Sequence, residues 1–315
     1  MQLHQLAYFV AVAQEGSFTR AAELANVAQP SLSQQIKALE TDLGAQLVHR
    51  ARGKVGLTAA GETLLPVARR MLADAETARR EIRELAALGR GRVRLGATPS
   101  LCTGLLPAVL AGYRRDHPGV DLVVHESGSR DLEKSLLEGT LDLALVIDAS
   151  LGDDPELATV PLLTEELVVI SRHGDPGPTR RSRMSIAELE GVPLVMFRTG
   201  YDLRESTVAA CRAAGFEPTF AIEGGEMDAV LEFVQAGLGV AVVPSTVVRG
   251  RFTVTSISTP GLRRTVLLAL RRGLEPPRAA QVLIESLTEF LRSTALPAAT
   301  AAVAAASPAA KGSAR

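Results

Sequence analysis

Apolar residues recur with a helical period from Leu3 to Leu39. Leu3, Leu6, Val10 and Ala13 follow one another at spacings of three and four, with Ala7 and Phe9 beside them. That pattern predicts one helix with a single buried stripe, ending near Gly16. Ser17 and Thr19 are both N-cap candidates for a second short helix reaching about Ala25, and Asn26-Val27 make the turn after it. A third helix begins around Pro30, where a missing N–H costs nothing because first-turn donors have no helical acceptor. On it Leu32, Ile36 and Leu39 fall at i, i+4 and i+7 and must face inward, so Pro30, Ser33, Gln34 and Lys37 face out. Two short amphipathic helices across a tight turn are the pattern of a helix-turn-helix.

The outward face suits a major groove. Gln can pair bidentately with the adenine edge, Ser can bond a base or a phosphate, and Lys suits phosphate or guanine. An ordinary solvated helix would carry the same residues, so the following segment matters. Leu47-Val48-His49-Arg50 and Lys54-Val55-Gly56-Leu57 read as two short strands around Ala51-Arg52-Gly53, with no acid between Asp42 and Glu62. A basic hairpin directly after a helix-turn-helix reads as a wing that grips phosphates or enters a minor groove.

From Thr58 to about Leu88 the residues are good helix formers, interrupted only by Pro66. Leu64, Ala68, Met71, Ala75, Ala78, Ile82 and Leu85 alternate at four and three, an a/d seam. A helix of about 30 residues is roughly 45 Å long, at ~1.5 Å per residue. The small head alone cannot bury such a stripe, so a second copy of the chain is the expected partner; packing on the same chain is the alternative.

Past Gly89-Arg90-Gly91-Arg92, a hinge-like composition, strands alternate with helices, the signature of parallel α/β layering. Strands are expected at Val93–Ala97, Val120–Glu126 and Leu141–Ile147. After a break from Asp148 to Pro155, Glu166–Ser171 opens a second lobe with strands at Pro193–Phe197, Thr219–Glu223 and Val240–Val243. Helices are expected from Ser100, Ser129, Asp202 and Glu226; a return strand Thr265–Leu270 and a helix Pro277–Leu291 rejoin the first lobe. Ligands in such sheets bind beyond the carboxyl ends of the strands. Four strand-to-helix junctions meet that description: Thr98-Pro99-Ser100, Ser127-Gly128-Ser129, Arg198-Thr199-Gly200 and Gly224-Gly225-Glu226. Their free N–H groups and the charge of Arg198 favour an anion, so a small carboxylate is the expected ligand. Ser100, Ser127 and Ser129 can equally serve as plain helix caps.

Composition adds bounds. The chain is long enough for two or three domains, with an apolar fraction of 46%. Residues up to Arg90 hold 11 basic and 9 acidic side chains, and the rest hold 23 and 26, giving a basic head on an acidic body. The N-terminus lacks a secretion signal, and no apolar run reaches the roughly 20 residues of a membrane span, so no membrane partner is expected. Two cysteines, Cys102 and Cys211, make no disulfide framework, and a reducing cytoplasm is the expected location. Cys102 stands near a helix N-terminus, which would lower its thiol pKa, leaving a thiol-based redox switch as an alternative reading. Gly237-Leu238-Gly239 precedes a strand and is no dinucleotide fingerprint; no P-loop, zinc spacing or nucleophile elbow occurs. Neither enzymatic activity nor a cofactor is expected, although a catalytic or ligand-binding α/β body remains the reading of another class. Beyond Ser293 the Ala/Pro/Ser tail has no apolar period and is expected to be disordered.

One string unites the head: Ala21-Ala22-Glu23-Leu24, Gln29-Pro30-Ser31-Leu32-Ser33, Ile36, Leu39-Glu40, Leu43-Gly44, Leu47, Arg50, Leu57-Thr58 and Ala60-Gly61. It resembles the N-terminal signature of the LysR-type transcriptional regulators. In the body, Leu105-Leu106-Pro107, Leu136-Leu137-Glu138-Gly139 and Gly237-Leu238-Gly239-Val240-Ala241 with Pro244 resemble the effector-binding region of the same family.

The resemblance implies an all-α winged helix-turn-helix over 1–58 and a dimerisation helix over 59–90. An α/β two-lobed effector domain like a periplasmic binding protein follows over 91–293, with lobe 1 at about 91–162 and 266–293 and lobe 2 at about 163–265; 294–315 is tail. It also implies a regulator that binds double-stranded DNA as a homodimer or homotetramer under the control of a small-molecule effector. The candidate DNA contacts are Gln29, Pro30, Ser31, Ser33, Gln34, Lys37, Arg50, Arg52 and Lys54. The candidate effector contacts are Thr98, Ser100, Ser127, Ser129, Arg198, Thr199, Gly225 and Glu226; by position Ser100, Ser129, Arg198 and Thr199 resemble the family's polar contacts.

Overall fold

The computed structural model describes residues 1–51, 54–86, 91–150, 152, 154–175, 177–248, 250–258 and 261–294. They form two units: the N-terminal head, with which Ser135–Thr140 group, and the body made by the rest. Of the expected hinge, Gly89 and Arg90 lie outside the described residues, whereas Gly91 and Arg92 already belong to a strand; the tail from residue 295 also lies outside them.

In the head, α1 (Leu3–Glu15), α2 (Phe18–Leu24) and α3 (Gln29–Leu43) precede a hairpin of β1 (Val48–Ala51) and β2 (Lys54–Leu57); α4 (Ala59–Ala86) completes it. Gly16 stops α1 by turning left-handed, φ 58°, with its N–H donating to the carbonyl of Val12. Of the two candidate caps for α2, Ser17 takes the role: its hydroxyl accepts the N–H of Arg20 at 3.4 Å, and Thr19 lies inside the helix. Asn26, φ 56°, is the single non-glycine residue at positive φ among the described residues, and its short polar side chain tolerates the turn between α2 and α3. α3 starts one residue before the expected Pro30, which fits because the second helical N–H also lacks a helical acceptor.

Leu6, Phe9, Val12, Ala21, Ala22, Leu32, Ile36 and Leu39 form the head's core. Burial of each large side chain there contributes about 1.5–3 kcal/mol. Thr58 caps α4, accepting the N–H of Gly61 at 3.1 Å and donating to the carbonyl of Gln46 at 2.6 Å. A Cβ on Gly61 would stand 2.1 Å from the carbonyl oxygen of Leu47, so only glycine lets α4 begin this close to the hairpin.

The body opens with β3 (Gly91–Ala97), α5 (Pro99–Thr103), α6 (Leu106–Asp116), β4 (Val120–Glu126), α7 (Ser129–Leu137) and β5 (Leu143–Ile147). β3 runs parallel to β4 and to β5. β6 (Leu157–Arg172) then carries the chain into a second lobe. There lie β7 (Arg183–Met184), β8 (Leu194–Met196), α8 (Asp202–Ala213), β9 (Phe220–Glu223), α9 (Met227–Gln235), β10 (Ala241–Pro244) and β11 (Phe252–Ile257). β12 (Arg263–Arg271) returns antiparallel to β6 and pairs with β5, and α10 (Arg278–Ser293) packs on the first lobe's core, where the Tyr113 hydroxyl donates to the carbonyl of Ala279 at 2.8 Å.

In the first sheet the expected parallel layering therefore ends at β5, while β8 and β9 of the second lobe again run parallel. A strand returning from the second lobe enters the first sheet from the opposite direction. β6 begins at Leu157, well before the expected Glu166; Pro161, Thr164 and Glu165 break its apolar run and hide its first half from the sequence pattern. The helix expected from Ser100 divides at Gly104, where a Cβ would meet the carbonyl oxygen of Thr246 at 3.1 Å. Each lobe owns a core, around Leu95, Leu145, Leu163 and Leu283 in the first and around Ile170, Phe197, Met227 and Val242 in the second.

Candidate nucleic-acid interface and ligand cleft

α3 buries Leu32, Ile36 and Leu39 and leaves Pro30, Ser31, Gln34 and Lys37 exposed, with Gln29 and Ser33 half-buried. No neighbouring side chain among the described residues holds Gln34 or Lys37 back from a groove. Gln35 is different. Its Oε1 accepts from Nε2 of Gln5 at 3.1 Å and stands 3.2 Å from Nε2 of His4, so it locks α3 to α1. Glu40 locks the other side: its Oε1 accepts the N–H groups of Leu47 at 2.8 Å and Val48 at 3.3 Å, fixing the start of the hairpin against α3. The far strand is tied by Val55 N–H to the carbonyl of Gly16 at 3.2 Å. Sequence reading missed the roles of Gln35 and Glu40, because periodicity reports which residues face the core and not which polar ones brace a neighbour. The hairpin pairs Val48 with Leu57 through Ala51 with Lys54. Arg52 and the side chains of Arg50 and Lys54 lie outside the described residues.

The a/d stripe of α4 divides in two. Ala68 is buried in the head's own core, with Leu64 and Met71 packed against it, so the first part of the stripe is satisfied within the chain. Farther along, Ala78 is exposed and Ile82 is 68% exposed. The side chain of Leu85 lies outside the described residues.

In the body, a cleft of about 510 Å³ is lined from the first lobe by Thr98, Pro99, Gly128, Ser129, Arg130, Asp131 and Ala149, and from the second by Arg198, Gly200, Tyr201, Asp202, Glu205 and Ser206. Three of the expected contacts, Thr98, Ser129 and Arg198, are in this lining. Ser100, Ser127, Thr199, Gly225 and Glu226 are not in it, although Glu226 and Ser100 bond to residues that shape it. The plain-cap reading of the serines fails. Ser100 lies within α5 and its hydroxyl accepts from Arg264, Ser129 accepts the N–H of Ile147 at 3.0 Å, and Ser127 donates to Asp131 at 3.2 Å.

Beneath the cleft lies a charge cluster that sequence reading did not find. Arg264 on β12, 7% exposed, donates to Oε1 of Glu165 on β6 at 2.6 Å, to Oδ2 of Asp202 at 3.0 Å and to the Ser100 hydroxyl at 2.6 Å. Thr246 donates to the other oxygen of Glu165 at 2.5 Å. Three segments distant in sequence thus meet on the guanidinium of a fourth. Burial raises the Asp202 carboxyl above the usual carboxylate range, although Arg264 pulls it the other way. Arg198, expected to present a free charge, is held by Glu226 at 2.5 Å, a bond that raises its pKa further. Tyr201 stacks on Phe197 with ring centroids 4.6 Å apart. The Ser100 hydroxyl lies near the buried Tyr201 hydroxyl but outside hydrogen-bonding geometry, which leaves that hydroxyl without a partner.

The expectation of a lowered Cys102 pKa is overturned. Burial, with Glu126 and Asp228 nearby, pushes that thiol up to about 12, and a five-residue helix cannot offset it. Cys211 is buried in the second lobe's core and is raised as well.

A helix-turn-helix with a hairpin wing, on a chain whose body is a two-lobed cleft, defines a DNA-binding regulator with an effector-binding domain. Residues 3–62 match the family model "Bacterial regulatory helix-turn-helix protein, lysR family", and residues 86–292 match "LysR substrate binding domain". The chain belongs to the LysR family of transcriptional regulators, whose partners are DNA, a small-molecule effector and further copies of the same chain. It is 33% identical over 299 residues to the "Probable hydrogen peroxide-inducible genes activator" of Streptomyces viridosporus, covering 92% of this chain and 94% of that one. Among solved structures it resembles a full-length OxyR variant from Pseudomonas aeruginosa, with TM-score 0.69, 30% identity, and coverage of 91% and 94%. It also resembles full-length CbnR complexed with its target DNA, with TM-score 0.67, 25% identity, and coverage of 94% and 100%. Among the described residues no helix is long and apolar enough to cross a membrane.

Proposed function

We propose that the chain is a sequence-specific regulator in which the outer face of α3 reads bases and a ligand between the two lobes of the body modulates that reading. Ser33, Gln34 and Pro30 face bases, with Gln29 and Ser31 at the start of the helix. Lys37, Arg50, Arg52 and Lys54 hold phosphates or a minor groove. The carrying observation is the exposure of Gln34 and Lys37 on a helix whose opposite face is buried and whose two flanks are braced by Gln35 and Glu40. A rigid helix presenting donors and acceptors outward is what direct readout needs.

The effector is a small molecule bearing a carboxylate or other anionic group. Support comes from Arg130 and Arg198 in the cleft lining and from the N-terminus of α7 at its wall. Closure of the lobes on that ligand changes the spacing of the heads on DNA. A thiol switch, suggested by the names of some relatives, has less support, because both cysteines are held protonated and they belong to the cores of different lobes. We also propose the cytoplasm as the place of action and the absence of catalysis.

Replacing Arg50, Arg52 and Lys54 together with alanine tests the head. Binding to every duplex weakens, and the slope of log affinity against log salt falls by about 0.9 for each phosphate that is no longer neutralised. An unchanged slope in fluorescence anisotropy titrations would exclude the wing from the interface.

A further inference from the structure

The charges of the cleft do not suit a simple anion. Its lining holds two cations, Arg130 and Arg198, against three carboxylates, Asp131, Asp202 and Glu205. Arg198 is already engaged by Glu226, and the cluster behind Asp202 sets one more cation, Arg264, against one more carboxylate, Glu165. A ligand that brought only negative charge would meet Arg130 and the α7 N-terminus on one wall and the carboxylates of Asp202 and Glu205 on the other.

Two buried atoms point the same way. Oε2 of Glu226 is buried and without a hydrogen bond while its other oxygen holds Arg198, and a carboxylate oxygen can only accept. The Tyr201 hydroxyl, on a residue 3% exposed that lines the cleft, also lacks a partner. Buried polar atoms left this way are uncommon in a folded chain, and of the two the Tyr201 hydroxyl stands on the cleft lining, where a bound group satisfies it.

We infer that the effector is zwitterionic, with an acidic group held at the α7 and Arg130 side of the cleft and a protonated amine held at the opposite side by Tyr201, Asp202 and Glu205. An α-amino acid or a close derivative has this chemistry. The inference rests on the cleft being the effector site.

The test is calorimetric titration of the full-length protein with the common α-amino acids and, for each, the des-amino acid of the same carbon chain, in wild type and in Ala149→Trp. Ala149 is exposed on the cleft wall, so a tryptophan there fills the cleft without disturbing a core. The expected result is that at least one amino acid binds and its des-amino partner binds at least about tenfold more weakly, the loss of one charge-assisted hydrogen bond. Glu205→Gln should narrow that ratio. Equal binding of acid and amino acid, abolished by Ala149→Trp, overturns the ligand class and leaves the cleft standing. Binding indifferent to Ala149→Trp overturns the cleft as the effector site, and this inference with it. Failure of every amino acid to bind overturns the inference directly.

Discussion

The head and the body solve opposite problems with the same materials. On α3 the residues proposed to read bases lie on the outer face, one helix supplies most of them, and the half-buried Gln35 and Glu40 brace it. In the body the cleft takes residues from four chain segments, and the charges that shape it are buried beneath, on Arg264, Glu165 and Asp202. A surface that reads DNA must be rigid before its partner arrives. A cleft that closes on a ligand must instead hold strands β6 and β12, which join its lobes, together through interactions that respond to what enters.

That contrast can be broken first at Arg264. Arg264→Met leaves the buried Glu165 and the largely buried Asp202 without their shared cation, and should cost about 3–5 kcal/mol of the body's stability in urea unfolding. Asp202→Asn should cost far less, since Arg264 keeps Glu165 as a full partner and the neutral side chain can still accept a hydrogen bond. Equal losses in the two variants would mean that the cluster is only packing.

On the other side of the comparison, Gln34→Ala should leave stability within about 0.5 kcal/mol of wild type, as expected for an exposed side chain. It should also remove about 1–3 kcal/mol of discrimination at one base position in each half-site. Selection of preferred sequences from a random duplex pool would show the change, and an unaltered motif would remove Gln34 from readout. The smallest effect belongs to Cys102→Ser. Because the thiol is held protonated up to about pH 12, any response of DNA binding to peroxide should be the same with and without it. A response lost in the variant would restore the thiol reading.

How much of each region was legible follows from the same contrast. The phase of one helix decides which of its side chains face out, so Leu32, Ile36 and Leu39 sufficed to point Gln34 and Lys37 away from the core. The strand-to-helix junctions were visible too, and they led to Thr98, Ser129 and Arg198. Arg264 was not, since it stands in an ordinary Arg263-Arg264 pair at the start of a strand. Only the antiparallel return of β12 along β6 brings it to Glu165, a pairing across 99 residues that no local pattern encodes. The partners of Arg198 and the burial of Cys102 were hidden for the same reason. Glu226, Glu126 and Asp228 are remote in sequence, and one-dimensional spacing shows neither desolvation nor a competing charge.

The most direct test of the account is an anisotropy titration of duplexes selected by the wild-type protein, repeated with the double variant Gln34→Ala/Lys37→Ala after its fold is verified by circular dichroism. The account predicts tight, sequence-dependent binding by the wild type and loss of the preference for selected over scrambled duplex in the variant. A folded variant that keeps the full preference would place DNA recognition somewhere other than the outer face of α3.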